Sequence, residues 1–176
     1  AGRYRQFHQF GVEAFGSSSP YLDAEVIMLL VKILANLHLN DYELHLNSVG
    51  CPVCRETYRK QLIAYLTPRV EKLCPDCRNR YVKNPLRVLD CKVPACHEAI
   101  AGIPHIYDSL CNDCLVHYEK VKAVLADNQI KYVHDHNLVR GLDYYCHTVF
   151  EFTTSELGAQ GTVLAGGRYD GLIETM

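Results

Sequence analysis

The sequence predicts an α+β fold, in which a mostly antiparallel sheet flanked by helices is interrupted by a helical, cysteine-rich insertion. Alternating apolar and polar residues, typical of strands, occur near both ends of the chain, and helical periodicity recurs between them. Eight of the nine cysteines lie between residues 51 and 114. The 176 residues, 48% of them hydrophobic and 22% charged, have the composition of a globular protein, which excludes disordered and low-complexity classes.

The first 50 residues predict a strand, a helix and a second strand. Alternation predicts a strand over residues 3–15, with Gln9 and Glu13 on one unusually polar face. Residues 17–37 begin with Ser-Ser-Ser-Pro and continue with helical spacing of apolar residues, and residues 42–47 alternate as a strand. An amide and a carboxylate on one face could hold an ammonium or imidazolium group, and a plain solvated face is the alternative.

Beyond residue 50 the pattern divides into an insertion and a second part of the core. Short helices are predicted over residues 56–66, 78–81 and 117–126, separated by prolines and cysteines. Strand patterns follow at residues 131–134 and 148–154, and then a glycine-rich stretch at 158–171. We therefore predict three segments: a first core part at 1–50, an inserted domain at 51–133 and a second core part at 134–176.

The cysteine spacing predicts structural zinc. The first predicted quartet is Cys51, Cys54, Cys74 and Cys77, and the second is Cys91, Cys96, Cys111 and Cys114. Two Cys-x-x-Cys pairs 19 residues apart suit a tetrahedral thiolate site, and four thiolates leave no open position for water. The second quartet has a looser first pair, so an interleaved arrangement or a site completed by His97 stays open. Free thiols are an alternative, as are disulfides, which need an oxidising compartment.

Charge is distributed unevenly along the chain. Residues 52–90 contain nine Lys and Arg against four Asp and Glu, a net charge of +5, whereas the remainder has a net charge of −7. The basic segment could therefore meet a polyanion, and a solvated helix surface is the alternative. The longest apolar run, residues 26–31, is far shorter than the roughly 20 residues that span a bilayer. Because the chain opens without Met or a secretion signal, we expect an excised fragment of a protein that does not enter the membrane.

Two further stretches could contact a ligand. Arg140 lies in the sequence Leu-Val-Arg-Gly-Leu-Asp-Tyr-Tyr, where a cation beside glycine and two tyrosines could clamp a carboxylate or phosphate. A loop salt bridge from Arg140 to Asp143 is the alternative. Residues 166–171, Gly-Gly-Arg-Tyr-Asp-Gly, would let the backbone approach a ligand closely, although glycines also serve plain turns.

Three separate stretches resemble the histidyl-tRNA synthetases, which have the class II aminoacyl-tRNA synthetase fold, and they occur in the same order as in that family. Residues 2–13 are similar to the end of the motif 2 loop and its second strand, and residues 138–145 and 165–172 are similar to the two histidine-specific signatures. The resemblance implies that residues 51–133 correspond to the insertion domain, which in the family acts as a clamp over the tRNA acceptor arm. It also implies a cytoplasmic histidine–tRNA ligase whose full-length parent is a homodimer.

The resemblance implies an ATP site. Arg3 would meet the γ-phosphate and Phe7 would stack on adenine, with Mg²⁺ as the counter-ion of the nucleotide. Arg140 would be the catalytic residue, bridging the substrate carboxylate and the α-phosphate as pyrophosphate leaves. Because the family's motif 1, first motif 2 strand, motif 3 and anticodon domain lie outside this sequence, we expect that the fragment alone does not make histidyl-adenylate.

The resemblance also implies a site for L-histidine. Gln9 would hold the α-amino group, Glu13 and Tyr145 would bond opposite imidazole nitrogens, Arg140 would meet the carboxylate, and Tyr144 and Tyr169 would line the pocket. Two alternatives stay open. One is a catalytically inactive paralogue that regulates histidine biosynthesis with ATP phosphoribosyltransferase, and the other is a zinc-stabilised RNA-binding module.

Overall fold

The computed structural model describes residues 5–139, 144–156 and 161–172. The described strands are β1 (Glu43–Ser48), β2 (Val133–His134), β3 (Cys146–Thr153) and β4 (Thr162–Arg168). The described α-helices are α1 (Pro20–Asn36), α2 (Pro52–Leu66), α3 (Pro75–Lys83), α4 (Leu86–Leu89), α5 (Pro94–Ala99) and α6 (Asn112–Asp127). Two 3₁₀ segments, Thr67–Lys72 and Ile106–Ser109, connect them.

The strands form one sheet in the order β2-β1-β3-β4. β3 is antiparallel to both β1 and β4, and β2 is parallel to β1 at the edge. The antiparallel register places Leu46 opposite Phe150, and Phe150 opposite Gly166. The predicted α+β class, with a mostly antiparallel sheet, is confirmed.

Helix α1 begins where its sequence predicts. The Ser19 hydroxyl accepts a hydrogen bond from the Tyr21 N–H at 3.3 Å, and Pro20 occupies the first helical position, where a missing N–H costs nothing. Its buried stripe packs with α6 and the sheet in one apolar cluster, which contains Ala24, Ile27, Leu30, Leu34, Leu44, Leu46, Tyr118, Val121, Leu125, Phe150 and Phe152. This cluster is the core of the sheet domain.

A second apolar cluster lies within the cysteine-rich region. It is built around Tyr58, Leu62 and Leu66 of α2, and it reaches the sheet through Val49 and Val149. The buried Tyr58 hydroxyl donates to the Pro104 carbonyl at 2.9 Å, so its polar group is satisfied. Helix α6 falls inside the predicted 51–133 segment but contributes its apolar residues to the sheet core, so the boundaries of the insertion stay a prediction.

The predicted strand over residues 3–15 is wrong for its described part. Residues 5–15 have no helix or strand, and their side chains are exposed. A strand needs a neighbouring strand to accept and donate its ladder hydrogen bonds, and β4 is the edge of the described sheet. The inference that Gln9 and Glu13 share a strand face therefore loses its structural basis, and any meeting of these side chains depends on the path of the loop.

Candidate functional site

A cavity of about 590 Å³ lies where the loop before α1 passes over the ends of β3 and β4. Residues 12–18 form one wall, and the others come from Leu22, Asp23, Val26, Thr148, Phe150 and residues 167–170. The volume suits a small organic ligand. The cavity combines apolar surface with a few convergent polar groups, the usual composition of a small-molecule site.

Glu13 and Tyr169 meet in the wall of this cavity. Burial, followed by the charge of the Glu13 carboxylate and its hydrogen bond with the Tyr169 hydroxyl, raises the pKa of Tyr169. The tyrosine is therefore a neutral donor at physiological pH, and Glu13 is available as an acceptor on the same wall. This pair joins the loop to the segment after β4.

Two further predicted tyrosines, Tyr144 and Tyr145, lie beside that pair. The ring centres of Tyr144 and Tyr145 are 4.8 Å apart, and Tyr169 lies edge-on to both, at 5.9 Å from Tyr144 and 6.5 Å from Tyr145. These are favourable aromatic geometries, and edge-on contacts hold each ring at a fixed angle. The residues directly before β3 and directly after β4 are thus in direct contact, although they are separated in the sequence.

Gly167 makes the approach of Tyr145 to β4 possible. A Cβ atom at this position would lie 2.7 Å from the Thr148 carbonyl oxygen and 2.9 Å from Cδ1 of Tyr145. Both separations are shorter than real Cβ contacts, so any other residue would displace the ring or the strand. The neighbouring Gly166 lies against the ring of Phe150 in the same way.

In the wall of the cavity, a buried carboxylate joins four structural elements. Asp23 of α1 accepts hydrogen bonds from Thr148 of β3 at 2.6 Å and from Arg168 of β4 at 2.8 Å, and it contacts Nε2 of His117 of α6 at 2.7 Å. The Arg168 guanidinium also donates to the Ser17 carbonyl at 2.7 Å. Arg168 is therefore fully engaged by the protein and fixes the loop onto the end of the sheet.

Burial opposes ionisation of the Asp23 carboxyl, but its partners outweigh that effect. Hydrogen bonds from His117 and Thr148, with the charges of His117 and Arg168, lower the pKa of Asp23. Side-chain exposure is 7% for Asp23 and 8% for Arg168, so this ion pair is shielded from solvent. A pair held this way stays charged throughout the physiological range.

The structure brings together only part of the predicted site. Glu13, Tyr144, Tyr145 and Tyr169 converge, whereas the Gln9 side chain is exposed and the Phe7 ring is 70% exposed. Arg3 and Arg140 lie outside the described residues. Sequence reasoning missed the partners of the Asp23 carboxylate. An aspartate in the first turn of a helix is common and does not by itself indicate a buried ion pair. The sequence feature that could have indicated a cationic partner is Arg168, which follows the glycine pair.

The cysteine-rich region contacts this site directly. Arg55, in the first turn of α2, donates from Nη1 to the carbonyl oxygen of Tyr145 at 2.9 Å. Tyr145 itself packs against the apolar cluster of that region. The position of α2 is therefore coupled to the position of the tyrosine.

The eight predicted cysteines form two groups of four, divided differently from the prediction. The groups are Cys51, Cys54, Cys111 and Cys114, and Cys74, Cys77, Cys91 and Cys96. The sequential division is wrong, and the interleaved arrangement that the sequence left open is the one found. The 15 residues of α2, at about 1.5 Å each, carry the chain about 22 Å away from the first Cys-x-x-Cys pair before the second pair is reached. The start of α6 returns to the first pair instead. His97 belongs to neither group.

One thiol in each group ionises more readily than an isolated cysteine. Burial opposes ionisation of Cys51, but hydrogen bonds from the Cys54 backbone and thiol lower the pKa of Cys51 to about 7. The backbone N–H of Cys77 is the main reason that the pKa of Cys74 falls to about 7. Burial and neighbouring thiols raise the pKa of Cys77 and Cys114.

Comparison with known proteins places these features in a family. A family model described as histidyl-tRNA synthetase matches residues 1–55. The histidine–tRNA ligase of Syntrophomonas wolfei is 62% identical over 175 residues, which cover 99% of this chain. The chain belongs to the histidyl-tRNA synthetase family.

Solved structures share the synthetase fold of this chain. The apo histidyl-tRNA synthetase of Staphylococcus aureus matches 90% of the chain with a TM-score of 0.68 and 37% identity, and the match covers 38% of that protein. A Bacillus halodurans protein titled ATP phosphoribosyltransferase regulatory subunit/histidyl-tRNA synthetase matches 90% of the chain and 45% of its own length with a TM-score of 0.55. At 24% identity, this second likeness shows the fold alone.

The synthetase segment spans about two fifths of the relatives it matches, since the S. wolfei alignment covers 42% of that protein. None of the helices in the described part of the chain combines the length and apolar character needed to cross a bilayer.

We expect Asp23→Asn to destabilise the chain by about 3 kcal/mol at pH 7, because it leaves the buried Arg168 cation with the exposed Asp170 as its one remaining counter-charge. The folded pKa of Asp23 is lowered, so its contribution is complete above the ordinary aspartate pKa and is lost as pH falls through the lowered value. In urea unfolding, the difference in stability from wild type should therefore hold from pH 7 down to about pH 5 and narrow at lower pH. Asp41→Asn, at an exposed position, is the matched control. Equal stability of Asp23→Asn and wild type at pH 7 would contradict this role.

We expect Gly167→Ala to cost about 1–3 kcal/mol of stability, because the added methyl group overlaps Thr148 and the Tyr145 ring. The near-ultraviolet circular dichroism of the tyrosines should change with it. Gly171→Ala is the control, since a Cβ atom there meets nothing within 4 Å. If both variants had the same stability, the close approach at Gly167 would not contribute to the free energy of unfolding.

Proposed function

We propose that this chain is the histidine-recognition part of a histidine–tRNA ligase, which activates L-histidine with ATP to histidyl-adenylate and transfers the aminoacyl group to tRNA(His). The observation that carries the proposal is the meeting of Glu13 and Tyr169 in the wall of one cavity, with Tyr144 and Tyr145 packed against Tyr169. Its 62% identity to a named histidine–tRNA ligase supports it.

Histidine recognition follows from the donors and acceptors at the cavity. The Glu13 carboxylate would accept a hydrogen bond from one imidazole N–H, and the Tyr145 hydroxyl would meet the opposite ring nitrogen. Gln9 would reach the α-amino group. A wrong amino acid would leave these groups buried and unpaired, and such rejection can reach about 10⁴ to 10⁵. The glycine at position 167 supports this reading, because it sets the depth at which the Tyr145 ring lies.

ATP would bind beside the histidine site with Mg²⁺ as its counter-ion. The exposed Phe7 ring is free to stack on adenine, which fits the role. Arg3 would meet the γ-phosphate, and Arg140 would bridge the substrate carboxylate and the α-phosphate. Arg140 would act by electrostatic stabilisation of the charge that develops as pyrophosphate leaves, and not as a base.

The basic segment would contact the tRNA acceptor arm. Its exposed cations on α2 and α3 and near them are Lys60, Lys72, Arg78, Arg80 and Lys83. Exposed Lys and Arg side chains are the groups that neutralise phosphates. The Arg55 contact to Tyr145 would transmit the position of this segment to the histidine site. We propose a cytoplasmic homodimer as the full-length form.

The test is histidine binding by the chain, measured by calorimetry. Glu13→Gln should weaken binding roughly tenfold to a hundredfold, because it replaces a charged acceptor with a neutral amide. Histidine methylated on either ring nitrogen should bind more weakly, since each nitrogen has a partner. Glu25→Gln, at an exposed position on α1, should bind as wild type does.

Histidine-dependent exchange of pyrophosphate into ATP separates the ligase from the alternatives. A full-length protein that contains this chain should catalyse the exchange, and the chain alone should not. Histidine binding without exchange by the full-length protein would overturn the ligase in favour of a regulatory paralogue. Salt-sensitive RNA binding without any affinity for histidine would favour the RNA-binding module.

A further inference from the structure

Two compact groups of thiols lie outside the histidine cavity. We propose that each group holds one structural Zn²⁺ ion, with crossed pairing of the cysteine motifs. Site A consists of Cys51, Cys54, Cys111 and Cys114, and site B consists of Cys74, Cys77, Cys91 and Cys96. The proposal does not depend on the ligase function.

The sulfur positions match a tetrahedral thiolate site. Within each group all four Sγ atoms lie within 4.8 Å of one another. The separations are 3.5 Å for Cys51–Cys54 and 3.8 Å for Cys54–Cys114 in site A, and 3.9 Å for Cys74–Cys91 in site B. Four sulfurs at about 2.3 Å from a central ion stand about 3.8 Å apart. The same separations are about twice an S–S bond, so the thiols are arranged for an ion and not for disulfides.

The surrounding backbone favours thiolates in both sites. Cys51, Cys74 and Cys111 are the N-cap residues of α2, α3 and α6, so the positive ends of three helix dipoles point at the sulfurs. The Cys111 N–H donates to the Cys54 sulfur at 3.1 Å, and the Cys74 N–H donates to the Cys96 sulfur at 3.2 Å. Such N–H···S bonds are typical outer partners of a metal-bound thiolate.

The ligand set indicates zinc with a structural role. Soft thiolates in a tetrahedral arrangement select Zn²⁺ or iron–sulfur centres among the common metals, and a set of four leaves no coordination position for substrate. Site A is further shaped by Gly50, whose φ of +63° places the backbone so close that a Cβ would lie 2.7 Å from the Cys54 Cβ. The chain is therefore folded tightly around this group of thiols.

Site A closes the base of the cysteine-rich region. Cys51 and Cys54 stand at its entry, directly after β1, and Cys111 and Cys114 stand where α6 starts back along the sheet core. An ion there would join Cys54 to Cys111, which are 57 positions apart in the chain. Site B lies wholly between these two crossings and joins α3 to α5. The ion in site A would attach the cysteine-rich region to the sheet domain, and the ion in site B would stabilise the interior of that region.

The crossed pairing is tested by zinc content per chain after gel filtration, measured by inductively coupled plasma mass spectrometry. Wild type should hold two ions. Serine at all four site A positions should leave one, whereas serine at Cys51, Cys54, Cys74 and Cys77 should leave none, because that variant breaks both sites. Sequential pairing gives the opposite result for these two variants and would overturn the proposal. Cys146→Ser, which removes the ninth cysteine, should keep two ions and is the control.

A second measurement on wild type keeps the test decisive if a variant fails to fold. Zinc is withdrawn partially with a chelator, free thiols are alkylated with N-ethylmaleimide, and the one-zinc species is mapped by mass spectrometry. Apart from Cys146, which belongs to neither site, the alkylated cysteines should all belong to site A or all to site B. X-ray absorption should show four sulfurs around zinc at about 2.3 Å. Absence of metal, or iron in place of zinc, would overturn the proposal. Alkylation of Cys51 and Cys74 together in the one-zinc species would also overturn it, because these cysteines belong to different proposed sites.

Discussion

The buried carboxylate of Asp23 is the interaction on which the geometry of the site depends. It holds α1 to α6 through His117, to β3 through Thr148 and to β4 through Arg168. Without the carboxylate, the arginine would be a buried cation with one acidic partner left, the exposed Asp170. Since Tyr169 follows Arg168 directly, the ion pair also fixes where the tyrosine enters the cavity. A buried ion pair in the lining of the cavity thus positions the neighbouring tyrosine side chain.

The junction of β1 with α2 connects the sheet to the cysteine-rich region. The Gly50 carbonyl accepts a hydrogen bond from the His147 N–H at 2.9 Å, and the Val49 N–H donates to the His147 carbonyl at 2.7 Å. His147 has a positive φ, an uncommon backbone state that these two bonds support. The first thiol group begins at the next residue, Cys51. Movement of that thiol group would therefore shift the start of β3, next to Tyr145.

Local structure could be predicted from the sequence where its cause is local. The start of α1 follows from Ser19 and Pro20. The start of α2 lies within the first Cys-x-x-Cys pair, where a proline follows the first cysteine. What escaped prediction depends on distant residues. Which pairs share a group is decided by the path of α2, and the importance of Asp23 is decided by partners 94 to 145 residues away. The alternation at residues 3–15 describes faces of a strand and carries no information on whether a neighbouring strand exists.

The separation of Asp23 from Arg168 in the chain has a consequence for biosynthesis. The two residues are 145 positions apart, and a ribosome adds about 5–20 residues per second. The first turn of α1 is therefore synthesised roughly 7–29 s before the arginine that pairs with its aspartate. For most of that interval the nascent helix lacks α6 and β3, which supply Tyr118 and Phe152 to the same core, so the sheet core can close only after most of this sequence has been translated. The chain is thus dependent on late folding, with an exposed apolar helix that a chaperone can recognise.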